Sequence, residues 1–288
     1  MSGKLPVSGY FKGKIMKKSY ILLLVILLII ACNQNKNTLI LDDIQINNYI
    51  ENLNDANWRT VYLAKDSLEQ LEHEVLPYLI KNLNAKNKFV KLKNTADLIY
   101  PGATEYYGSG WVVDYDIDWL SIRTGWVIED ITFENFGYRE FKITEDELIK
   151  MQKNPLKYQE YLESGKYDFK ISPDKIKDLK TAIKKTNNWW NENSSNWTRL
   201  QGITDALNSK DIQRQSNALQ YLRHGEFCIN GLTREYFEQR IRPIVEDLLN
   251  SSEDFICQDA ELLLSTVDYK GDYFIVSIAT KCWGKTSH

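Results

Sequence analysis

Three carboxylates alternate along Val113-Asp114-Tyr115-Asp116-Ile117-Asp118-Trp119, and Glu129, Asp130 and Glu134 follow shortly after. An alternating acidic triplet can present oxygens from one side of an extended loop, which is how a calcium loop begins. The remaining positions do not suit that chemistry. Trp119 stands where such a loop needs glycine, and Gly125 where it needs a bidentate glutamate. No metal ligand is therefore expected, and Asp116 or Asp118 reads as the solvated cap of the helix that follows. Two acids about 5–9.5 Å apart across a sugar would serve glycoside hydrolysis. The carboxylates of 114–134, with abundant Trp and Tyr nearby, are where this chain would place that pair. Acidic helix surfaces are common without catalysis, so a glycan- or peptide-processing hydrolase is the alternative reading rather than the first.

Nucleophile chemistry has even less to build on. The histidines are His73, His224 and His288, and no H-E-x-x-H, G-x-S-x-G or phosphate-loop string is present. His224 and Cys228, four residues apart, would share a helix face, but Gly225 ends such a helix and no orienting acid is evident. Cys228, Cys257 and Cys282 lie 29 and 25 residues apart, unlike zinc ligands, which come in close pairs. They read as small buried hydrophobes, with a Cys228–Cys257 or Cys257–Cys282 bridge open in an oxidising compartment. No catalytic residue and no cofactor are expected.

Two aromatic groups are the better binding candidates. Tyr106, Tyr107 and Trp111 stand in a Gly-rich loop with Tyr100 and Tyr115, and Trp189, Trp190 and Trp197 stand among asparagines. Tyr and Trp offer large contact area at low entropy cost, which suits a protein-binding face. Packing between helices is the competing role for the same residues.

The elements that must position these groups are helical. Leu68, Leu71, Val75, Leu79 and Leu83 fall three or four apart and predict one apolar stripe. Ile117, Leu120, Val127, Ile128 and Ile131 predict a second, and Phe237, Ile241, Ile244, Val245, Leu248 and Leu249 a third. Two shorter helices are predicted around Ile203–Leu207 and Ala218–Leu222, split at Ser209-Lys210-Asp211, with Ser209 or Asp211 as a cap. The best strand candidate is the short run Trp111–Tyr115.

Three stretches pair a first helix with a second across a polar turn: 77–83 with 90–99, 203–207 with 214–222, and 243–249 with 256–263. Pro77 and Pro243 enter the first helix, and Ala96, Ala218 and Ala260 lie in the second. These pairs resemble HEAT-type repeats, whose units bury their apolar faces only by stacking. The expected fold class is all-α, an irregular HEAT-like α-solenoid or a helical bundle.

The N-terminus is of another kind. From Met16 the chain reads Lys17-Lys18, then ten aliphatic residues from Ile21 to Ile30, then Ala31 and Cys32. A span needs about 20 apolar residues, so this run is too short to be a transmembrane helix. Ile29-Ile30-Ala31-Cys32 resembles the lipobox of bacterial lipoproteins. The resemblance implies cleavage after Ala31, diacylglycerol on the Cys32 sulfur and an acyl chain such as palmitate on the new amine. Residues 1–15 precede the better start at Met16 and are set apart from the fold.

The expected organisation is therefore a start extension and signal peptide (1–31) and a flexible tether (32–41). An N-terminal helical domain (42–136), a connector (137–173) and a C-terminal HEAT-like domain (174–288) follow. The leader holds five of the 36 basic residues and no acid, which leaves 31 basic against 39 acidic residues, a formal charge of −8. That balance argues against nucleic acid, which needs a basic face, and for a protein partner of basic character. Asn33, in place of the aspartate that retains such proteins at the inner membrane of enteric bacteria, favours the outer membrane of the cell envelope. Immunity-type proteins and envelope scaffolds are the analogues this suggests.

Overall fold

Helices dominate the computed structural model, which describes residues 43–84, 89–100, 111–113, 115–141, 153–156, 173–224, 229–270 and 273–276. The all-α expectation holds at that level. Residues 1–42, which include Cys32 and the expected signal peptide and tether, lie outside the described residues.

The first helices are α1 (Asp43–Leu53), α2 (Trp58–Gln70) and α3 (Leu76–Leu83). Asn57 caps α2: its Oδ1 accepts from the N–H groups of Arg59 at 3.0 Å and Thr60 at 3.4 Å. The stripe expected from Leu68 to Leu83 is not one helix. Glu72 adopts φ 51°, a single 3₁₀ turn (Glu72–Val75) follows, and Pro77 then occupies the first turn of α3. A left-handed residue costs about 1–2 kcal/mol away from glycine. The buried Glu72 carboxylate offsets that cost by accepting from the N–H of Asn230 at 2.8 Å and its Nδ2 at 3.2 Å. Leu68, Val75, Leu79 and Leu83 remain buried across the break.

Val90–Ile99, expected as the second helix of a repeat, is not helical: it runs irregularly to Thr95, turns at Ala96-Asp97 and ends in a short strand. Its backbone bonds run sideways: Trp58 N–H donates to Lys93 O at 3.0 Å, Lys93 N–H to Ala56 O at 2.7 Å, and Val90 N–H to Asp118 O at 2.8 Å. Asn94 lies at φ 58°. β1 (Leu98–Ile99) pairs in parallel with β2 (Trp111–Val112), Leu98 opposite Trp111. The strand candidate at Trp111–Tyr115 thus pairs over its first two residues.

α4 (Leu120–Thr132) is enclosed on nearly every side, burying Arg123, Thr124 and Glu129 along with Ile122, Trp126, Val127, Ile128 and Ile131. Gly125 is required where it stands, since a Cβ there would come within 2.2 Å of the Tyr138 ring. Phe133 ends the helix at φ 58° and is itself buried.

The later helices are α5 (Pro173–Asn193), α6 (Arg199–Leu207) and α7 (Ile212–His224). Then α8 (Arg234–Tyr236) runs through a π turn (Phe237–Ile241) into α9 (Arg242–Leu248), followed by α10 (Asp254–Thr266). The break at Ser209-Lys210-Asp211 falls as expected, and Asp211 Oδ1 caps α7 by accepting from Arg214 N–H at 3.1 Å. Ile203, Ala206, Leu219, Leu222, Phe237, Ile241, Val245, Ile256 and Leu263 meet in one apolar core. β3 (Val267–Lys270) and β4 (Tyr273–Val276) close the described chain as an antiparallel hairpin. Both flanks of the expected connector belong to one unit, Ile44–His288, and α4 packs on α6 within it. Among the described residues no helix is long and apolar enough to cross a membrane.

Candidate functional site

The acidic stretch expected at the surface is turned inward. Asp116 and Asp118 are 7% and 1% exposed, and the α4 N-cap is Trp119, with no side-chain cap bond. The expectation of a solvated capping loop is corrected accordingly. Asp118 Oδ1 accepts from Leu92 N–H at 2.8 Å and from the Tyr100 hydroxyl at 3.1 Å, while Lys91 Nζ lies 3.4 Å from Oδ2. Asp116 Oδ1 accepts from Asp118 N–H at 3.1 Å. Burial, then the neighbouring Asp118, pushes the Asp116 carboxyl up to about 7. Asp114 lies outside the described residues.

Beneath this pair, Arg123 is 0% exposed. Its guanidinium donates to the carbonyls of Ile117 at 2.8 Å, Leu53 at 2.9 Å, Asp55 at 2.8 Å and Val90 at 3.1 Å. It thereby satisfies carbonyls at the end of α1 and along the irregular segment. Burial lowers it to about 10.

Nearly two turns further along α4, Glu129 is 1% exposed. Its Oε1 accepts from three consecutive N–H groups: Phe136 at 2.8 Å, Gly137 at 2.9 Å and Tyr138 at 3.1 Å. Gly137, at φ 102°, turns the chain so that all three donors converge. Glu129 Oε2 and Arg139 Nε face each other at 3.4 Å as an ion pair without a hydrogen bond. Burial raises the Glu129 carboxyl to about 7, against the pull of Arg139 and the three N–H groups.

The network continues through α2. Asp130 pairs with Arg139 and, at 3.0 Å, with Lys65, which also pairs with Glu69. Burial alone would lower the Lys65 ammonium, but Glu69 and Asp130 overcome it and hold it above its ordinary value. Burial raises Glu69, whereas Lys65 and Arg139 overcome burial at Asp130 and hold it low. Arg199, on α6, donates to the carbonyls of Glu69 and Asp130 at 3.1 Å each and stacks on Tyr221, 4.7 Å from its centroid. Lys65, Arg139 and Arg199 thus balance Glu69, Glu129 and Asp130. Glu134, further out, pairs with Arg214 at 2.7 Å.

This arrangement is suited to holding elements together rather than to proton transfer. Each described carboxylate from 116 to 134 already accepts from a nearby donor, and carboxylates, backbone carbonyls, aromatic faces or, for Arg139, the Asn217 amide oxygen occupy the cations. Among the described residues no group of three His, Cys, Asp or Glu could hold a metal ion.

The aromatic candidates are distributed differently. Tyr106 and Tyr107 lie outside the described residues, and for Trp111 only the β2 backbone is described. Trp197 is 8% exposed and closes over Gly202, where a Cβ would come within 2.8 Å of its ring. It packs edge-on against Trp189 at 5.4 Å, and Trp189 against Phe136 at 5.8 Å. Trp189 and Trp190 are half-buried and sit 6.4 Å apart. Only these two of the described group keep surface for a partner. Cys228 and Cys282 lie outside the described residues, and Cys257 is a free, half-buried thiol whose Sγ contacts Leu249 O at 3.1 Å.

Lys65, Glu69, Arg123, Arg139 and Arg199 were not singled out from sequence. The i, i+4 spacing of Lys65 and Glu69 was the one available signal, and it is shared by countless solvated pairs. Comparison with family models, with curated proteins and with solved structures returned no match.

Proposed function

We propose that this chain is a bacterial envelope lipoprotein, anchored through lipid on Cys32, whose acidic helical body acts by binding another protein. The observation that carries the anchor is the run Lys17-Lys18, Ile21–Ile30, Ala31, Cys32. Acyl chains contribute roughly 0.8 kcal/mol per buried methylene, so two or more make attachment effectively permanent. The outer membrane is favoured by Asn33. The body, with 39 acidic against 31 basic residues after the leader, suits a basic protein in an immunity-type or scaffold role. Stacking of α6 on α7, and of α9 and α7 on α10, supports a HEAT-like arrangement for the C-terminal part.

The hydrolase alternative loses its support at the residues it would use. Asp118 and Glu129 are each 1% exposed, and Asp130 is engaged by two cations. A glycosidase acid pair must reach substrate from opposite sides. The test is purification of the C-terminally tagged protein from native membranes. The expected result is an N-terminal peptide starting at Cys32 with its lipid mass, and a stoichiometric basic protein retained on the body. An unmodified Cys32 would remove the anchor, and bound glycan fragments without protein would restore the hydrolase.

A further inference from the structure

α5 carries a run of lysines on a body that is acidic as a whole. α5 buries Leu179, Ala182 and Thr186 and exposes Lys177, Lys180, Lys184 and Lys185. Lys177, Lys180 and Lys184 recur at three- and four-residue spacing and so line up on one outward face. Asp174 and Asp178 are the acids beside them on this helix, against which Lys175 adds a further lysine. Among the described residues none of the four lysines belongs to an ion pair, unlike Lys65 and Lys91, which are drawn to carboxylates. A solvated basic stripe on a chain whose mature part carries −8 has a preferred direction in an electric field.

We propose that the lysine face of α5 lies against anionic lipid headgroups of the bilayer in which Cys32 is anchored. This rests on the lipoprotein reading for its tether and adds which side of the body faces the lipid. Ten residues separate Cys32 from the start of α1, and such a chain reaches at most about 36 Å. The tether therefore keeps the body close to the surface at high effective concentration, where weak contacts decide orientation. Each lysine near an anionic surface strengthens attachment about five-fold. The acidic remainder is repelled by the same surface, so both signs of charge favour one orientation, with the acidic side presented to a basic partner.

The test reconstitutes the full lipidated protein into two kinds of vesicle: phosphatidylcholine alone, and phosphatidylcholine with about a third phosphatidylglycerol. Amine acetylation at Lys177, Lys180 and Lys184 is then read by mass spectrometry. Labelling of the three should fall at least about five-fold in the anionic vesicles. It should recover at 1 M salt, where the screening length is about 3 Å, and the K177E/K180E/K184E variant should lose the protection at Lys185. Equal labelling in both vesicles overturns the proposal, as does protection that appears only when envelope proteins are added. Flotation with the neutral vesicles reports the Cys32 anchor separately. Should flotation fail there, salt-sensitive binding to anionic vesicles that the triple variant lacks would still support the α5 face, and its absence would overturn it.

Discussion

Around α4 the interior is organised by charge, whereas between α6 and α10 it is organised by hydrocarbon. In the first region Arg123, Asp118, Glu129, Asp130, Lys65 and Glu69 make directed contacts to carbonyls, N–H groups and each other. In the second, Ala218, Leu219, Ile241, Val245, Ile256 and Leu263 simply exclude water together. Directed contacts tie together segments that have no regular pairing, such as the end of α1, the irregular 89–99 stretch and the turn at 136–138. Hydrocarbon packing needs the regular helix faces that the second region has. The two should therefore fail in different ways.

The largest effect should come from Arg123→Met. It leaves four carbonyls without their donor and the Asp116–Asp118 pair with Lys91 as its remaining nearby cation, for a loss of about 3–5 kcal/mol in urea unfolding. Arg123→Lys should recover little, because a point charge cannot reproduce the fork. Near-wild-type stability in Arg123→Met would mean the charges around α4 are bystanders.

Leu219→Ala, in the apolar region, should cost about 3 kcal/mol. Here the conservative change should succeed, with Leu219→Met costing under about 1.5 kcal/mol. If Leu219→Met were as damaging as Leu219→Ala, size would not be what that core measures.

Acidity should separate the regions next. Burial raises Glu129 from 4.5, and Asp116 from 3.8, to about 7 each, so the folded chain holds these protons more tightly than the unfolded one. Their stabilising contribution is complete below about pH 4 and is lost as pH rises through 7. Asp130, held low, acts in the opposite sense and loses its contribution only on strong acidification. Urea midpoints should therefore fall between pH 5 and pH 8, and Glu129→Gln should flatten that fall by about 1–3 kcal/mol. Amide exchange at pH 8 should quicken over 120–141 relative to 254–266. Equal quickening in both would dissolve the distinction.

The smallest effects should ignore it. Asn57→Ala at the start of α2 and Thr198→Ala at the start of α6 each remove a side chain that accepts an early helix N–H. Each should lower stability by about 1 kcal/mol in thermal unfolding, because a cap is a local device.

The same division governs what was legible. The break at Ser209-Lys210-Asp211 and the helices on either side of it followed from apolar spacing, as did α9, α10 and most of α4. Val90–Ile99 did not. Leu92, Ala96 and Ile99 have the four- and three-residue spacing of a helix face, but Leu92 N–H and Val90 N–H are claimed by Asp118, 26 and 28 positions away in sequence. The continuous stripe from Leu68 to Leu83 also missed its left-handed joint, because the partner that stabilises Glu72 is Asn230. At the candidate site, the acidic residues of 114–134 look solvated from sequence alone, since a carboxylate in sequence carries no mark of its eventual donor.

Helical character, the acidic balance of residues 32–288 and the apolar run ending at Cys32 are properties of local order and composition, which act through neighbours a few residues apart and can be read along the chain. Burial of Arg123, Glu129 and Lys65, the closure of Trp197 over Gly202 and the irregular path of 89–99 depend on partners brought together only by folding. A charge or a backbone N–H is indifferent to sequence distance, so its partner is chosen by the assembled tertiary structure.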